Sequence, residues 1–254
     1  MNTRLLILTS LTVSTAIWGI CETAYGQTSI TVPNFSFEIN PGNCNQCQGN
    51  TTALPDWSIT NNPNNSFNNN SGAQPYSSGA FNSIGTGDGS NFAYLNFDPG
   101  SPNSGYTATI TSAASVTTIQ PGTYTLTIAV GKNNRTNTYG STGNISLSLL
   151  DASNNDAVLA STLIPNNTEP FGTFTDYTVT YFSNGSLDGH SLLIQMSSTD
   201  PNASDTYQPG FDNVRLDFLA VPEPSTWIGA SLVGLMLLVQ IARARSFSKR
   251  NVKQ

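Results

Sequence analysis

Histidine is nearly missing from this chain, cysteine is scarce and charge is thin: 254 residues carry 1 His, 3 Cys, 9 Lys or Arg and 15 Asp or Glu. Each shortage removes a class of function. With His190 as the lone histidine, no His-rich metal centre and no H-E-x-x-H motif can form, and a G-x-S-x-G nucleophile elbow is missing too. His190 follows Leu187-Asp188-Gly189, which reads as a hairpin turn entering a strand rather than as the setting of a general base. Three cysteines exclude a disulfide-rich scaffold and a two-pair zinc site. Cys44 and Cys47 have C-x-x-C spacing, but no βαβ pattern surrounds them. The expectation there is a local disulfide pinning the loop between Phe37 and Trp57.

Basic residues are rarest in the middle. Between 28 and 220 only Lys132, Arg135 and Arg215 are basic, against thirteen acidic residues, so this segment is more acidic than the whole-chain net charge of -6 implies. Nucleic acid is thereby excluded as a partner. Acidity with little Lys suits an extracellular domain that either binds divalent cations or stays soluble.

Long amphipathic helical stretches are also missing between 28 and 220, where Asn, Ser, Thr and Gly dominate and favour turns and strands. Strand-like runs recur at Phe92–Phe97, Tyr106–Thr111, Tyr124–Val130, Ile145–Leu150, Ala157–Ile164, Tyr177–Phe182, Ser191–Met196 and Phe211–Leu219, each bounded by Gly, Asn, Asp or Pro. In one of them Tyr124, Leu126, Ile128 and Val130 fall on a single face, as a half-buried strand requires. Roughly 190 residues suffice for one all-β domain, and the pattern predicts a β-sandwich. The polar, low-complexity stretch from Asn61 to Asp88 reads as an irregular surface loop, or alternatively as a formed binding site.

Long apolar runs are confined to the two ends. Arg4 precedes an apolar run from Leu5 to Ile20, and Ala24-Tyr25-Gly26 offers small residues for signal peptidase, so residues 1–26 read as a signal peptide with Gln27 the new N-terminus. Cys21 falls in the discarded part, and an uncleaved N-terminal helix is the alternative. At the other end, Pro222-Glu223-Pro224 precedes an uncharged span over about residues 225–242, then Arg243, Arg245, Lys249, Arg250 and Lys253. As a helix that span covers roughly 27 Å, just enough to cross a bilayer, and the basic tail belongs on the cytoplasmic side. Residues 221–254 resemble the PEP-CTERM sorting signal of Gram-negative bacteria. The resemblance implies processing by an exosortase at Pro222, Glu223 and Pro224, with transient anchoring in the inner membrane and release to the cell surface or exopolysaccharide. A plain tail anchor is the alternative.

The intervening domain, 27–220, carries a second resemblance. Val32-Pro33-Asn34-Phe35-Ser36-Phe37-Glu38 opens it, Pro55-Asp56-Trp57 follows, Gly87-Asp88-Gly89-Ser90-Asn91 and Pro121-Gly122-Thr123-Tyr124 lead into strands, and Phe211-Asp212-Asn213-Val214-Arg215-Leu216 closes it. Together these look like the galactose-binding-like jelly rolls of carbohydrate-binding modules. That resemblance implies first and last strands lying close together and one structural calcium on Glu38 and Asp212; alternatively both carboxylates satisfy backbone donors. Sugar binding needs an exposed aromatic face. Trp57 is one candidate, although it fits a core position better, and Tyr76, Phe81, Tyr139 and Tyr207 lie in loop-like sequence.

The expectation from sequence is therefore an exported, non-enzymatic, polysaccharide-binding or adhesive β-sandwich with no catalytic residues. A purely structural matrix protein is one alternative, and a surface glycosidase or lyase on the same scaffold is another.

Overall fold

The computed structural model describes residues 26–39, 54–61, 71–76, 81, 83–95, 107–133, 143–199, 208–221, 231, 233–241 and 243. Cys21, Cys44, Cys47, Tyr139, Tyr207, Pro222, Glu223, Pro224 and Arg245 lie outside the described residues, and with them the expected disulfide and most of the sorting motif. The chain divides into two units, Gln27–Leu219 and the terminal stretches Met1–Gly26 with Ala220–Gln254.

Among the described residues twelve strands, numbered along the chain, form two six-stranded sheets. The first sheet runs in the order β10 (Phe174–Ser183), β7 (Gly122–Lys132), β12 (Pro209–Ala220), β4 (Asn91–Tyr94) and β3 (Gly72–Pro75), with β1 (Thr28–Ile30) also on β12. The second runs β2 (Trp57–Asn61), β5 (Thr107–Ser112), β11 (Ser191–Thr199), β8 (Asn144–Asp151) and β9 (Ala157–Ile164), with β6 (Thr117–Thr118) also on β11. The first and last strands pair directly, Ser29 opposite Asp217.

Each of the eight strand-like runs contains a strand among its described residues, the first ending at Tyr94; Asn96, Phe97 and Tyr106 lie outside the described residues. The ones missed are short: β1, β2, β3 and β6 hold too few residues for alternation to show. β3 lies inside the Asn61–Asp88 stretch, so that stretch is not loop throughout; Gly72 to Pro75 pair with Tyr94 to Asn91. The turn before His190 is also different from a hairpin. It joins β10 of one sheet to β11 of the other, and it closes on hydrogen bonds from Asp188 N to Gly185 O at 3.3 Å and from His190 N to Leu187 O at 3.0 Å.

The core lies between the sheets and follows the period of two. Tyr124, Leu126, Ile128 and Val130 of β7, Ile145, Leu147 and Leu149 of β8, Leu192, Ile194 and Met196 of β11, and Phe211, Val214 and Leu216 of β12 form one buried cluster. Full burial of each such aliphatic side chain stabilises the fold by about 1.5–3 kcal/mol. Across the gap, Thr162 of β9 donates its hydroxyl hydrogen to Thr178 O of β10 at 2.7 Å, joining one edge of the two sheets.

Sheet position also explains a second, smaller cluster. Along β4 and just beyond it, Ala93 and Leu95 enter the main core, so Phe92 and Tyr94 point to the opposite face of the first sheet. There they are buried with Phe81, Ala129 and Phe174.

In the terminal unit, residues 231, 233–241 and 243 are helical, with Val233, Leu235, Met236 and Leu238 exposed. Among the described residues no helix is long and apolar enough to cross a membrane; residues 225–230, 232 and 242 of the span expected over 225–242 lie outside them.

Candidate active site

The outer face of the first sheet holds a buried acid inside an aromatic nest. Phe211 and Val214 of β12 enter the main core, which leaves Asp212 on the other side, fully buried. Asn213 turns through a left-handed conformation at φ 47°. This local irregularity puts the Asn213 N–H within 2.7 Å of Asp212 Oδ1.

Three donors converge on the carboxyl. Besides Asn213 N, Tyr76 donates its hydroxyl hydrogen to Asp212 Oδ2 at 2.5 Å, and Asp88 N donates to the same oxygen at 2.6 Å. These bonds favour the ionised form, yet burial outweighs them and pushes Asp212 up from 3.8 to about 7, with the nearby Asp88 charge adding to the rise. Tyr76 is driven above its ordinary value as well, first by burial, then by its bond to Asp212 and the surrounding negative charge of Asp212, Glu38 and Asp88.

Aromatic rings wall the pair. The Tyr76 ring lies 5.2 Å from Phe92 and 5.5 Å from Phe174, and Phe81 stacks obliquely on Phe174 at 4.3 Å and meets Phe92 edge-on at 4.8 Å. Glycines make the packing possible. A Cβ at Gly131 or at Gly210 would stand 2.9 Å from the Phe81 ring. At Gly87 it would meet the Tyr76 hydroxyl at 2.1 Å and Asp212 Oδ2 at 2.8 Å, so residue 87 has no alternative to glycine while the pair keeps this geometry.

The segment 83–91 packs against the pair through Gly87 and Asp88 and is held at both ends. Ser83 N and Thr86 N each donate at 3.2 Å, to Gly172 O and Phe174 O. Asn213 Nδ2 donates to Thr86 O at 2.9 Å. At the far end Glu38 Oε1 accepts from Ser90 N and Asn91 N, both at 2.7 Å, and Oε2 accepts from Asn91 Nδ2 at 3.1 Å.

These contacts correct the calcium expectation. Glu38 and Asp212 are both occupied by N–H or O–H donors, which present hydrogen where a cation needs oxygen, and the described residues contain no group of three or more His, Cys, Asp or Glu able to hold a metal. Trp57 is core rather than ligand surface: it is buried, its ring lies 5.4 Å from Phe37, and its Nε1 donates to Asn34 O at 3.3 Å. His190 Nδ1 is 2.8 Å from Asp151 Oδ2, while Asp151 Oδ1 accepts from Ser153 N at 3.0 Å, an arrangement that closes the turn after β8. Of the sugar-contact candidates, the structure brings Tyr76 and Phe81 together, and it joins them to Asp212 rather than to a flat exposed platform. Sequence reasoning missed Phe92, Phe174, Gly131 and Gly210, whose only signal was membership of strands or strand ends.

A family model described as HpiC1-like, HpiC1 cyclase, matches residues 28–217. The chain belongs to the HpiC1-like family. Among solved structures the fold is similar to that of a Stig cyclase, Fisc from Fischerella sp. TAU, in complex with (3Z)-3-(1-methyl-2-pyrrolidinylidene)-3H-indole, at TM-score 0.58 and 22% identity over 76% of this chain and 98% of that one. A cyclase from Fischerella sp. TAU in complex with 4-(1H-Indol-3-yl)butan-2-one gives TM-score 0.58 and 22% identity over 77% of this chain and 100% of that one. Carbohydrate-binding modules of the β-sandwich superfamily are more distant, at TM-score 0.45 and 12% identity over 68% of this chain and 61% of that one. No curated protein matches.

HpiC1-like membership overturns the expectation of a non-enzymatic carbohydrate binder or matrix protein, because the matched region is the whole sandwich and its family is one of cyclases. The sorting resemblance gains nothing: the match ends at residue 217, before Pro222, and a cyclase domain replaces exosortase-sorted matrix material as the reading of the chain.

Proposed function

We propose that this HpiC1-like chain is a cyclase that closes a ring on an apolar, aromatic substrate by acid catalysis from Asp212. One observation carries the reading: a fully buried carboxyl, raised to about 7 and bonded to a tyrosine hydroxyl at 2.5 Å, inside a nest of phenylalanines. An acid with that value is still half protonated at neutral pH, where general acid catalysis is most effective.

The step balances without a co-reactant. Asp212 gives its proton to an imine-type nitrogen or an alkene carbon of the substrate, whose π bond breaks to leave a cationic carbon, and a nucleophilic carbon of the same molecule attacks that carbon to form the ring bond. A proton is then lost back to the Asp212 carboxylate, so the reaction is an isomerisation. The Phe92, Phe174, Phe81 and Tyr76 rings favour the cation through their faces and exclude water that would trap it. Tyr76 and the Asp88 and Asn213 amides hold the carboxylate left behind after proton transfer. The molecules bound to the similar Fischerella proteins both carry an indole, and we infer an indole-bearing substrate here.

Turnover of an indole with an unsaturated side chain tests the reading. Asp212→Asn should lower kcat by about 10²–10⁴-fold, and wild-type kcat/KM should fall as pH rises through about 7. An Asp212→Asn enzyme with wild-type rate and pH profile removes Asp212 from the chemistry.

We further propose that the domain works outside the cytoplasm, exported by signal peptidase cleavage after Gly26. The apolar run Leu5 to Ile20 behind Arg4 supports this, and the mass of the mature N-terminus tests it.

A further inference from the structure

Gln74 is the unexplained polar group of this face. Its side chain is buried, and its Nε2 has no hydrogen-bond partner. Its neighbour Ala73 enters the main core, so Gln74 projects to the outer face of the first sheet, the side that carries Asp212. Registers fix its place there. Gln74 lies opposite Phe92, and Ala93 lies opposite Phe211 on the other side of β4, so one further step of that register sets Asp212 beside Phe92. Gln74, Phe92 and Asp212 thus form a row across three strands, the outer two about 10 Å apart at ~4.8 Å per strand. Tyr76, two residues beyond Gln74, shares its face and bonds Asp212.

A buried N–H group without a partner is penalised in the free protein. A leucine at this position would fill similar volume without the penalty. The arrangement makes physical sense when the missing acceptor arrives with the substrate. Resting on the cyclase reading above, we propose that Gln74 is a specificity-determining residue: its amide N–H donates to a carbonyl oxygen or imine-type nitrogen on the substrate, orienting the aromatic body along Phe92 so that the opposite end meets Asp212. The preferred ligand class is an aromatic molecule bearing one hydrogen-bond acceptor on its side chain, over the same molecule without it.

The test compares wild type with Gln74→Leu in the full chain, in two arms. In the first, melting is measured without ligand: Gln74→Leu should melt at the same temperature or higher, and a clear fall shows that Gln74 serves the fold and overturns the proposal. In the second, binding of 4-(1H-indol-3-yl)butan-2-one is measured against 3-butylindole. Wild type should prefer the ketone about tenfold, and Gln74→Leu should lose the preference. The same preference in both proteins overturns the proposal. If wild type binds neither compound, the indole reading fails, and the melting arm alone then decides for or against Gln74.

Discussion

At the scale of the residue, Asp212 trades stability for chemistry. Its folded value of about 7 lies above the ordinary 3.8, so between these values the unfolded chain releases a proton that the folded chain keeps. Stability is therefore full below about pH 4, declines as pH rises through the window, and reaches its lowest level above about 7. The size is bounded by 1.36 kcal/mol per unit, about 4 kcal/mol at most. Melting followed from pH 4 to 8 should show this decline in wild type and a much flatter profile in Asp212→Asn; parallel profiles mean that Asp212 titrates normally. Gly87 is the companion case. Gly87→Ala forces the Tyr76 hydroxyl or Asp212 aside and should cost about 1–3 kcal/mol by denaturant unfolding. An unchanged midpoint means that the loop yields instead. These residues were partly legible in the sequence. Asp212, Tyr76 and Phe81 were each singled out, but for calcium or sugar, because the contact that defines them joins positions 136 residues apart. No local pattern reports such a meeting, nor the burial that shifts the acid.

At the scale of the element, long strands announced themselves and short ones did not. β7 shows its inner face in the alternation of Tyr124, Leu126, Ile128 and Val130, and it is buried as that pattern demands. β3 was hidden in an Asn-rich stretch, since Gly72-Ala73-Gln74-Pro75 has no β-branched or aromatic residue and is recognisable only by its pairing with β4. The 83–91 segment gains its shape from contacts rather than propensity. Glu38 is its anchor, bonding two consecutive backbone amides, and the Asp88 N–H that reaches Asp212 lies two residues before them. Glu38→Ala should leave the sandwich intact while the Ser90 and Asn91 amides exchange about tenfold faster with deuterium. If those amides stay as protected as in wild type, the anchor lies elsewhere.

At the scale of the whole molecule, the beginning and the end of the sandwich depend on each other. β1 pairs with β12 through Thr28, Ser29 and Ile30 against Phe218, Asp217 and Leu216, and β12 is the strand that carries Asp212. A cut after Gly26 leaves β1 whole, whereas a start at residue 32 strips it and exposes one edge of β12 beside Leu216, a core residue. The boundary of the compact unit, Gln27 to Leu219, falls where the signal-peptidase site was expected. This coincidence yields a prediction in two parts. The mature chain should begin at Gln27 by mass spectrometry, and a chain starting at residue 32 should melt lower than one starting at 27, by about 2–4 °C for each kcal/mol of lost pairing. Equal melting of the two chains shows that β1 adds nothing to β12, and the match between processing site and strand then has no structural meaning.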